Sequence, residues 1–384
     1  MRVLVVIDSL GRNNGAHVAT RRMIAALRGR GVVIDLLLGS RTDDAEGLEG
    51  VRQYELSKPQ RGLRWFVQGV YRRFRLGPTP RWVLDPWGWA RRLMRTYDTV
   101  LVVGENSRFR CLVTGVKGPR KVVFIHTDYV NWKDSCGWAI EDSRYDRRIY
   151  RGFDIIAVVG QANADRFAEY YPEFKDKVRA FHNLFDRPPV RTGDVGRLIG
   201  SRVELVTVSR LELGPQKVTE RIVRVAAELK RRGCDFEWRI YGRGSAEAEA
   251  ALRDLAKRED VADRLIFAGF VKDVRAILAQ ADLHVLLSAY EGEPNVIVEA
   301  LSLGVPCVST DVGAVREMLG DGRFGLIVPQ EEKEIADVIE SLIKDPQKIS
   351  PLKRNLVGYR YDNDKVLEEY DQILGLTYEA RSVN

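Results

Sequence analysis

Two glutamates eight residues apart, Glu291 and Glu299, bracket a glycine, a proline and the start of an apolar run in Ser288-Ala289-Tyr290-Glu291-Gly292-Glu293-Pro294-Asn295-Val296-Ile297-Val298-Glu299-Ala300-Leu301. Carboxylates accept hydrogen bonds, which suits them to sugar or ribose hydroxyls. Gly292 permits a tight turn and Pro294 suits the first turn of a helix. The amides of Asn295, Val296 and Ile297 would then lack intrahelical partners and sit at the positive end of the helix dipole, an anion site suited to a diphosphate. Composition alone favours a plain strand–turn–helix with two solvated glutamates, so the surrounding pattern has to decide.

Further candidates also follow strand-like runs. Arg210 and Lys217 come after Val203–Val208, in Ser209-Arg210-Leu211 and Gln216-Lys217. An arginine fork and a lysine point charge placed there can reach a diphosphate. His126 follows the apolar run Val122–Ile125. Gly15 lies in the polar loop Asp8–His17, which lacks the full Gly-x-Gly-x-x-Gly of a dinucleotide site. Gly242 belongs to Tyr241-Gly242-Arg243-Gly244, where Glu247 stands in place of a third glycine, so a nicotinamide cofactor is poorly supported. No Asp-x-Asp stands in a place that suggests a metal, and none is required.

The elements that must position these residues are legible as an alternation. Val3–Ile7, Val32–Leu38, Thr99–Val103, Val122–Ile125 and Ile155–Val159 are continuous apolar runs of strand length. A helix over 16–28 falls between the first two. Such runs indicate parallel sheets covered on both faces. The pattern pauses at Asp186–Asp194, which holds two prolines and a glycine, and restarts at Val203. Strands are then expected at Glu237–Tyr241, Leu265–Ala268, Leu283–Leu287, Pro306–Ser309 and Leu326–Val328. Helices are expected over 218–232, 246–257, 274–281 and 295–303, with a last one over 363–374. The reading is two doubly wound α/β domains, 1–187 and 195–360, followed by a C-terminal helix in 361–384. Ligands of open α/β sheets bind at the carboxyl ends of the strands, which is where the candidates lie.

The chain's 384 residues suit two domains, and 61 basic against 54 acidic residues give a modest net charge of +7. No apolar run reaches spanning length. The four cysteines, Cys111, Cys136, Cys234 and Cys307, are widely spaced and read as thiols in a reducing cytosol.

The pattern Glu-x7-Glu within Glu-Gly-x-Pro-x4-Glu-Ala, followed by Gly304-Val305-Pro306 and Asp311-Val312-Gly313-Ala314, resembles the donor-sugar motif of retaining nucleotide-sugar glycosyltransferases of glycosyltransferase family 4 type (glycosyl transferases group 1). The resemblance is clear over Val203–Pro329 and diffuse over 1–186. It implies the GT-B architecture, two Rossmann-like domains facing a cleft, with the acceptor held by the first and the donor by the second. It implies that Glu291 contacts the donor sugar and Glu299 the ribose, and that amides around Asn295, Val296 and Ile297, with Pro294 before them, hold the distal phosphate. Arg210 and Lys217 would neutralise the leaving diphosphate, although Val218 stands where the family has glycine. Gly242 would line the nucleotide pocket and Val271 would flank the base through its main chain. His126 would hydrogen-bond the sugar near the reacting centre, and Gly15 would keep the second glycine of a phosphate-approaching loop. The last helix resembles the segment that crosses back to the first domain.

Lys58–Arg95 is a separate feature, with ten cations against the single anion Asp85 and tryptophan, phenylalanine and tyrosine interleaved. It suits an anionic membrane surface or a lipid-linked acceptor, with each cation contributing about 1 kcal/mol, and equally a packed helix with a basic face. No nucleic-acid module accompanies it. The expected activity is transfer of a sugar from a UDP-sugar to a hydroxyl of a saccharide or lipid-linked saccharide, in the cytoplasm or at the inner face of the membrane. The alternatives are a nucleotide-sugar epimerase or hydrolase of the same fold, or a binding module without turnover.

Overall fold

The computed structural model describes residues 1–11, 15–40, 47–56, 85, 88–105, 107, 109–135, 143–186 and 202–376. The chain divides into two compact units, Met1–Asp186 with Asp362–Asn384, and Arg187–Tyr361.

The first unit is built on a seven-stranded sheet: β1 (Arg2–Ile7), β2 (Val33–Leu38), β3 (Gln53–Glu55), β4 (Thr99–Val103), β5 (Arg120–Ile125), β6 (Ile155–Val159) and β7 (Val178–Phe181). Their order is β3-β2-β1-β4-β5-β6-β7 and every pairing is parallel. The second has six strands: β8 (Val203–Val208), β9 (Phe236–Tyr241), β10 (Leu265–Gly269), β11 (Leu283–Leu286), β12 (Cys307–Thr310) and β13 (Gly325–Val328). It too is all parallel, in the order β10-β9-β8-β11-β12-β13. In each sheet the strand order reverses once, between β1 and β4 and between β8 and β11. Loops leaving those strands diverge to opposite faces and open a crevice at their carboxyl ends.

Continuous apolar strands produce this arrangement because both faces are covered. All five residues of β4 and of β6 are buried. In the second unit Trp238, Leu205, Val223, Val285, Ile335 and Ile339 share one core. The Trp238 indole donates to Thr207 Oγ1 at 3.0 Å, and that hydroxyl donates to the Val285 carbonyl at 2.7 Å, so the buried polar atoms are satisfied.

Some differences from the sequence reading have local causes. The helix expected over 218–232 is Thr219–Arg231, because Val218 adopts a left-handed conformation with φ 43° and ψ 52°. The helix expected over 274–281 is Val274–Leu278, because beyond it the Gln280 and Ala281 amides turn to i−3 carbonyls, those of Ile277 and Leu278, at 3.1 and 3.0 Å. Short β3 and β7, and the helix Glu332–Lys344, were not expected. That helix buries Ile335, Ala336, Ile339, Leu342 and Ile343, a helical spacing that was open to reading. Of Lys58–Arg95, only Asp85 and 88–95 are among the described residues. There Asp85 is fully buried and accepts from the Ala90 and Arg91 amides at 3.3 and 3.1 Å, fixing the start of the helix Trp89–Met94. Cys111, Cys234 and Cys307 are buried and form no disulfide, while Cys136 lies outside the described residues.

The helix Asn363–Leu374 belongs to the first unit. Tyr370 packs against Phe124 and Phe181, with ring centroids 5.8 and 6.2 Å away. Thr99 Oγ1 donates to the Leu374 carbonyl at 2.9 Å, and Arg120 Nε to that of Ile373 at 3.0 Å. Asn363 exchanges two hydrogen bonds with the Phe185 backbone, at 3.0 and 2.7 Å. His182 meets Glu369 at 3.1 Å.

Candidate functional site

In the second unit the carboxyl edge is stitched by main chain beyond the strands themselves. The Ser209 amide donates to the Tyr241 carbonyl at 2.9 Å, Leu211 to Arg243 at 3.1 Å, and Gly242 to Gly269 at 2.9 Å. Gly242 is obligatory, because a Cβ there would lie 1.7 Å from the Ser209 carbonyl oxygen. Loops leaving β8, β9 and β10 therefore make one continuous floor. Arg210 rises from it with 57% of its side chain exposed, ion-paired to Glu212 and donating to Gln216 Oε1 at 3.1 Å. Val271 follows β10. Beside it the exposed Phe270 ring lies under the Arg243 guanidinium at 4.4 Å, an aromatic–cation pair that the sequence reading did not single out.

Lys217 and Glu291, 74 residues apart in sequence, meet at the switch point. Lys217 Nζ lies 2.5 Å from Glu291 Oε1, and Ser288 Oγ donates to the same oxygen at 2.6 Å. Both charged side chains are mostly buried, and the Ala289 amide donates to the Gln216 carbonyl at 2.8 Å, binding the two loops together. Behind them stands a positioning network that sequence reasoning missed. Arg221 donates to the Leu287 carbonyl and to Gln330 Oε1, each at 2.9 Å, and Gln330 Nε2 donates to the Ala289 carbonyl at 2.9 Å. Burial holds the Arg221 guanidinium below its ordinary pKa. On the other side the Ala314 amide donates to the Gly292 carbonyl at 2.9 Å. Gly313 has φ 54°, and a Cβ on it would fall 2.2 Å from that carbonyl oxygen. The glycine thus lets the loop after β12 touch the glutamate turn.

Pro294 is the N-cap residue of the helix Asn295–Ser302, one place earlier than the first-turn position expected. The Ile297 amide already donates to the Pro294 carbonyl at 3.0 Å, which corrects its assignment to an anion. The amides offered at this helix start are those of Asn295 and Val296, with Glu299 one turn further on, half-buried. Glu293, also unanticipated, is buried and accepts from the Tyr361 hydroxyl at 3.0 Å.

The first unit presents a different edge. Gly15 opens the helix Gly15–Gly29, and His17 Nδ1 accepts from the Gly11 amide at 3.0 Å. Burial, followed by the Arg21 charge, lowers the His17 pKa. His126 follows β5, its ring edge-on to Phe181 with centroids 5.2 Å apart. Burial lowers its pKa to about 4, helped by the nearby His17, while Asn183 pulls the other way. Both ring nitrogens are shielded from solvent, and none of the described residues meets them with hydrogen-bond geometry. The imidazole is therefore neutral at pH 7, able to donate from one nitrogen and accept at the other. The loop beyond is fixed by Asp128, which accepts from the Asn131 amide at 3.1 Å and pairs with Arg166. Glu105, at the end of β4, was not expected. Burial raises its carboxyl pKa, an effect only partly offset by its own amide, the His126 amide and Arg110. A lone acid after an apolar strand gives no signal in sequence that would separate it from any loop carboxylate.

Among the described residues no group of three or more His, Cys, Asp or Glu is placed to hold a metal ion.

Residues 13–187 match the family model described as Glycosyltransferase Family 4, and residues 202–345 the model described as Glycosyl transferases group 1. The two parallel-sheet units have the GT-B architecture, and these matches, each over less than half of the chain, support a glycosyltransferase. Its relatives include the alpha-D-kanosaminyltransferase of Streptomyces kanamyceticus, 30% identical over 44% of this chain and 44% of the relative. Another is the N-acetyl-alpha-D-glucosaminyl L-malate synthase of Bacillus anthracis, 29% identical over 34% of this chain and 35% of that protein. The chain thus spans less than half the length of these relatives. Among solved structures, Anabaena HepE in complex with UDP superposes with a TM-score of 0.72 at 19% identity, over 98% of this chain and 100% of that one. WaaG, a glycosyltransferase involved in lipopolysaccharide biosynthesis, gives 0.66 at 15% identity, over 97% and 100%.

Proposed function

We propose that this chain transfers a sugar from a UDP-sugar to a hydroxyl acceptor with retention of anomeric configuration. The observation that carries the reading is the Lys217–Glu291 pair with Arg210, two cations and a carboxylate drawn to the carboxyl ends of β8 and β11. In this reading Arg210 and Lys217 neutralise the departing diphosphate, assisted by the Asn295 and Val296 amides. Glu299 binds the ribose, while Gly242 and Val271 border the nucleotide. Glu291 and the neutral His126 orient the sugar, and Gly15 borders the phosphates from the first unit. No side chain is cast as a covalent nucleophile: the acceptor hydroxyl attacks on the face the diphosphate leaves, and a phosphate oxygen takes its proton. The chain's own cations carry the charge stabilisation, so no metal is assigned.

Relatives and neighbours support the substrate classes. HepE structures hold UDP and UDP-glucose. A Campylobacter jejuni relative is named for a diphospho-undecaprenol acceptor, and a Salmonella typhimurium relative for colanic acid biosynthesis. The acceptor assigned here is accordingly a saccharide or lipid-linked saccharide at the inner face of the membrane. Among the described residues no helix is long and apolar enough to cross a membrane.

Calorimetry with UDP tests the reading. Arg210→Ala should weaken binding by about 1.5–3 kcal/mol, the worth of a charge-assisted hydrogen bond. Glu291→Gln should cut transfer and leave UDP affinity nearly intact. Unchanged UDP affinity in Arg210→Ala removes the diphosphate assignment. A product of inverted configuration by NMR removes retention.

A further inference from the structure

At the opposite edge of the first sheet, where β1 and β2 begin and the chain approaches β3, lies a cavity of about 670 Å³ lined by Arg2, Arg28, Arg52, Val33, Asp35 and Gly50, among others. Nothing in the transfer reaction uses this edge, since the residues assigned to it follow the carboxyl ends of the strands.

Three guanidiniums here face one carboxylate, and that carboxylate is committed. Asp35 is 4% exposed and accepts from the Tyr97 hydroxyl at 2.6 Å. It also lies 3.8 Å from Arg2 Nη2. Arg2 is held in place, its Nη1 donating to the Thr96 carbonyl at 3.1 Å and its guanidinium lying 4.6 Å over the Tyr97 ring. Arg28 and Arg52 have no acidic partner among the described residues. Arg28 leans over the chain at Gly50, where a Cβ would come within 3.1 Å of its Nη2. Two guanidiniums without counter-ions on one cavity wall repel each other. The ligand that relieves that repulsion is an anion of at least two charges, with oxygens arranged to accept from planar forks, which is the chemistry of a phosphoryl group.

We propose that this cavity is a second anion site, distinct from the donor site, that takes a phosphomonoester or diphosphate group through Arg28 and Arg52, with Arg2 as its anchored wall. A free phosphate ester and the phosphate of a lipid headgroup share this chemistry.

The full chain, saturated with UDP so that its donor site is filled, is titrated with inorganic pyrophosphate and followed by thermal unfolding. The expected result is a further rise in midpoint in the parent. In the Arg28→Ala/Arg52→Ala double variant the response should move to at least tenfold higher pyrophosphate, with stabilisation by UDP itself unchanged. The single variant Arg52→Glu should also lose the response and serves if the double variant does not fold. A second arm compares sedimentation with phosphatidylcholine vesicles with and without phosphatidic acid. Recruitment by phosphatidic acid that needs Arg28 and Arg52 assigns a lipid headgroup, and a pyrophosphate response without recruitment assigns a free ester. A response identical in parent and variants, or none in the parent in either arm, overturns the proposal.

Discussion

The first six strands of one sheet follow the same order as the six of the other, yet the two carboxyl edges differ chemically. The edge of the second unit is charged and cross-linked, with Lys217 on Glu291, Arg221 on two loop partners, and loops sewn by main-chain hydrogen bonds. That of the first unit is quieter: apart from the Asp128–Arg166 pair, His17 and His126 are pushed toward the neutral form and Glu105 toward its protonated form, largely by burial. A doubly wound sheet supplies the crevice, and the side chains at its rim decide what enters. A rim of paired cations, one exposed and one mostly buried, suits a diphosphate, whose charge must be met as the bond breaks. Neutral, desolvated donors and acceptors suit hydroxyls, which need direction more than charge.

Breaking the charged edge should have the largest effect. Lys217→Met leaves Glu291 buried without its cation and should destabilise the second unit by about 3–5 kcal/mol. Adding Glu291→Gln should recover a large part of that loss in a denaturation double-mutant cycle. No recovery would mean that the pair contributes nothing beyond its separate members.

On the quiet edge, His126→Phe keeps the ring packing against Phe181 but removes both nitrogens. Transfer should fall by about tenfold to a hundredfold, some 1–3 kcal/mol, with UDP affinity by calorimetry unchanged. If UDP affinity falls equally, the division of labour between the edges is wrong.

The histidines sharpen the comparison through pH. His284 is fully buried in β11 with its pKa lowered to about 3, and His126 is lowered to about 4, in both cases chiefly by burial. Below about pH 6.5 the unfolded chain takes up these protons and the native chain does not, so stability falls as pH falls toward each folded value. Each histidine contributes a slope approaching about 1.4 kcal/mol per pH unit. Urea midpoints measured from pH 7 to 4.5 should show a shallower decline in His284→Leu than in the parent. Parallel curves would place His284 among groups that titrate normally.

The smallest effect belongs to Val218, a β-branched residue at φ 43°. Val218→Gly removes a left-handed penalty of about 1–2 kcal/mol and adds unfolded-state freedom of about 0.5–1 kcal/mol. The expected gain is about 0.5–1 kcal/mol in the second unit, read as a higher urea midpoint. A loss would show that Val218 contributes packing that outweighs its backbone.

Much of this was readable in the chain. Glu291, Gly292, Pro294 and Glu299 lie within one turn and one helix, so their geometry follows from neighbours in sequence, and the parallel sheets follow from uninterrupted apolar runs. The left-handed Val218 was not readable: a helix was expected to begin there, and a β-branched residue gives no sign of a positive φ. The network that aims these groups was not readable. Arg221 reaches a carbonyl 66 residues away, and Tyr361 reaches Glu293 across 68. Such contacts depend on loop lengths and helix positions that no local pattern encodes. The Ile297 amide was misjudged although the helix starts at Asn295 as expected, because an i to i−3 bond to the Pro294 carbonyl closes its first turn.

The helix Asn363–Leu374 is made after the second unit, yet it completes the first. During synthesis β5 and β7 leave the ribosome before Tyr370, whose ring packs on Phe124 and Phe181 in the folded unit. Thr99 and Arg120 likewise wait for the carbonyls of Leu374 and Ile373. The second unit, contiguous in sequence, can finish folding while the first is still open. Closure of the first unit is therefore a long-range step that waits until residues 363–374 have left the ribosome. A nascent chain stalled before residue 363 would expose an aromatic face that a chaperone must guard.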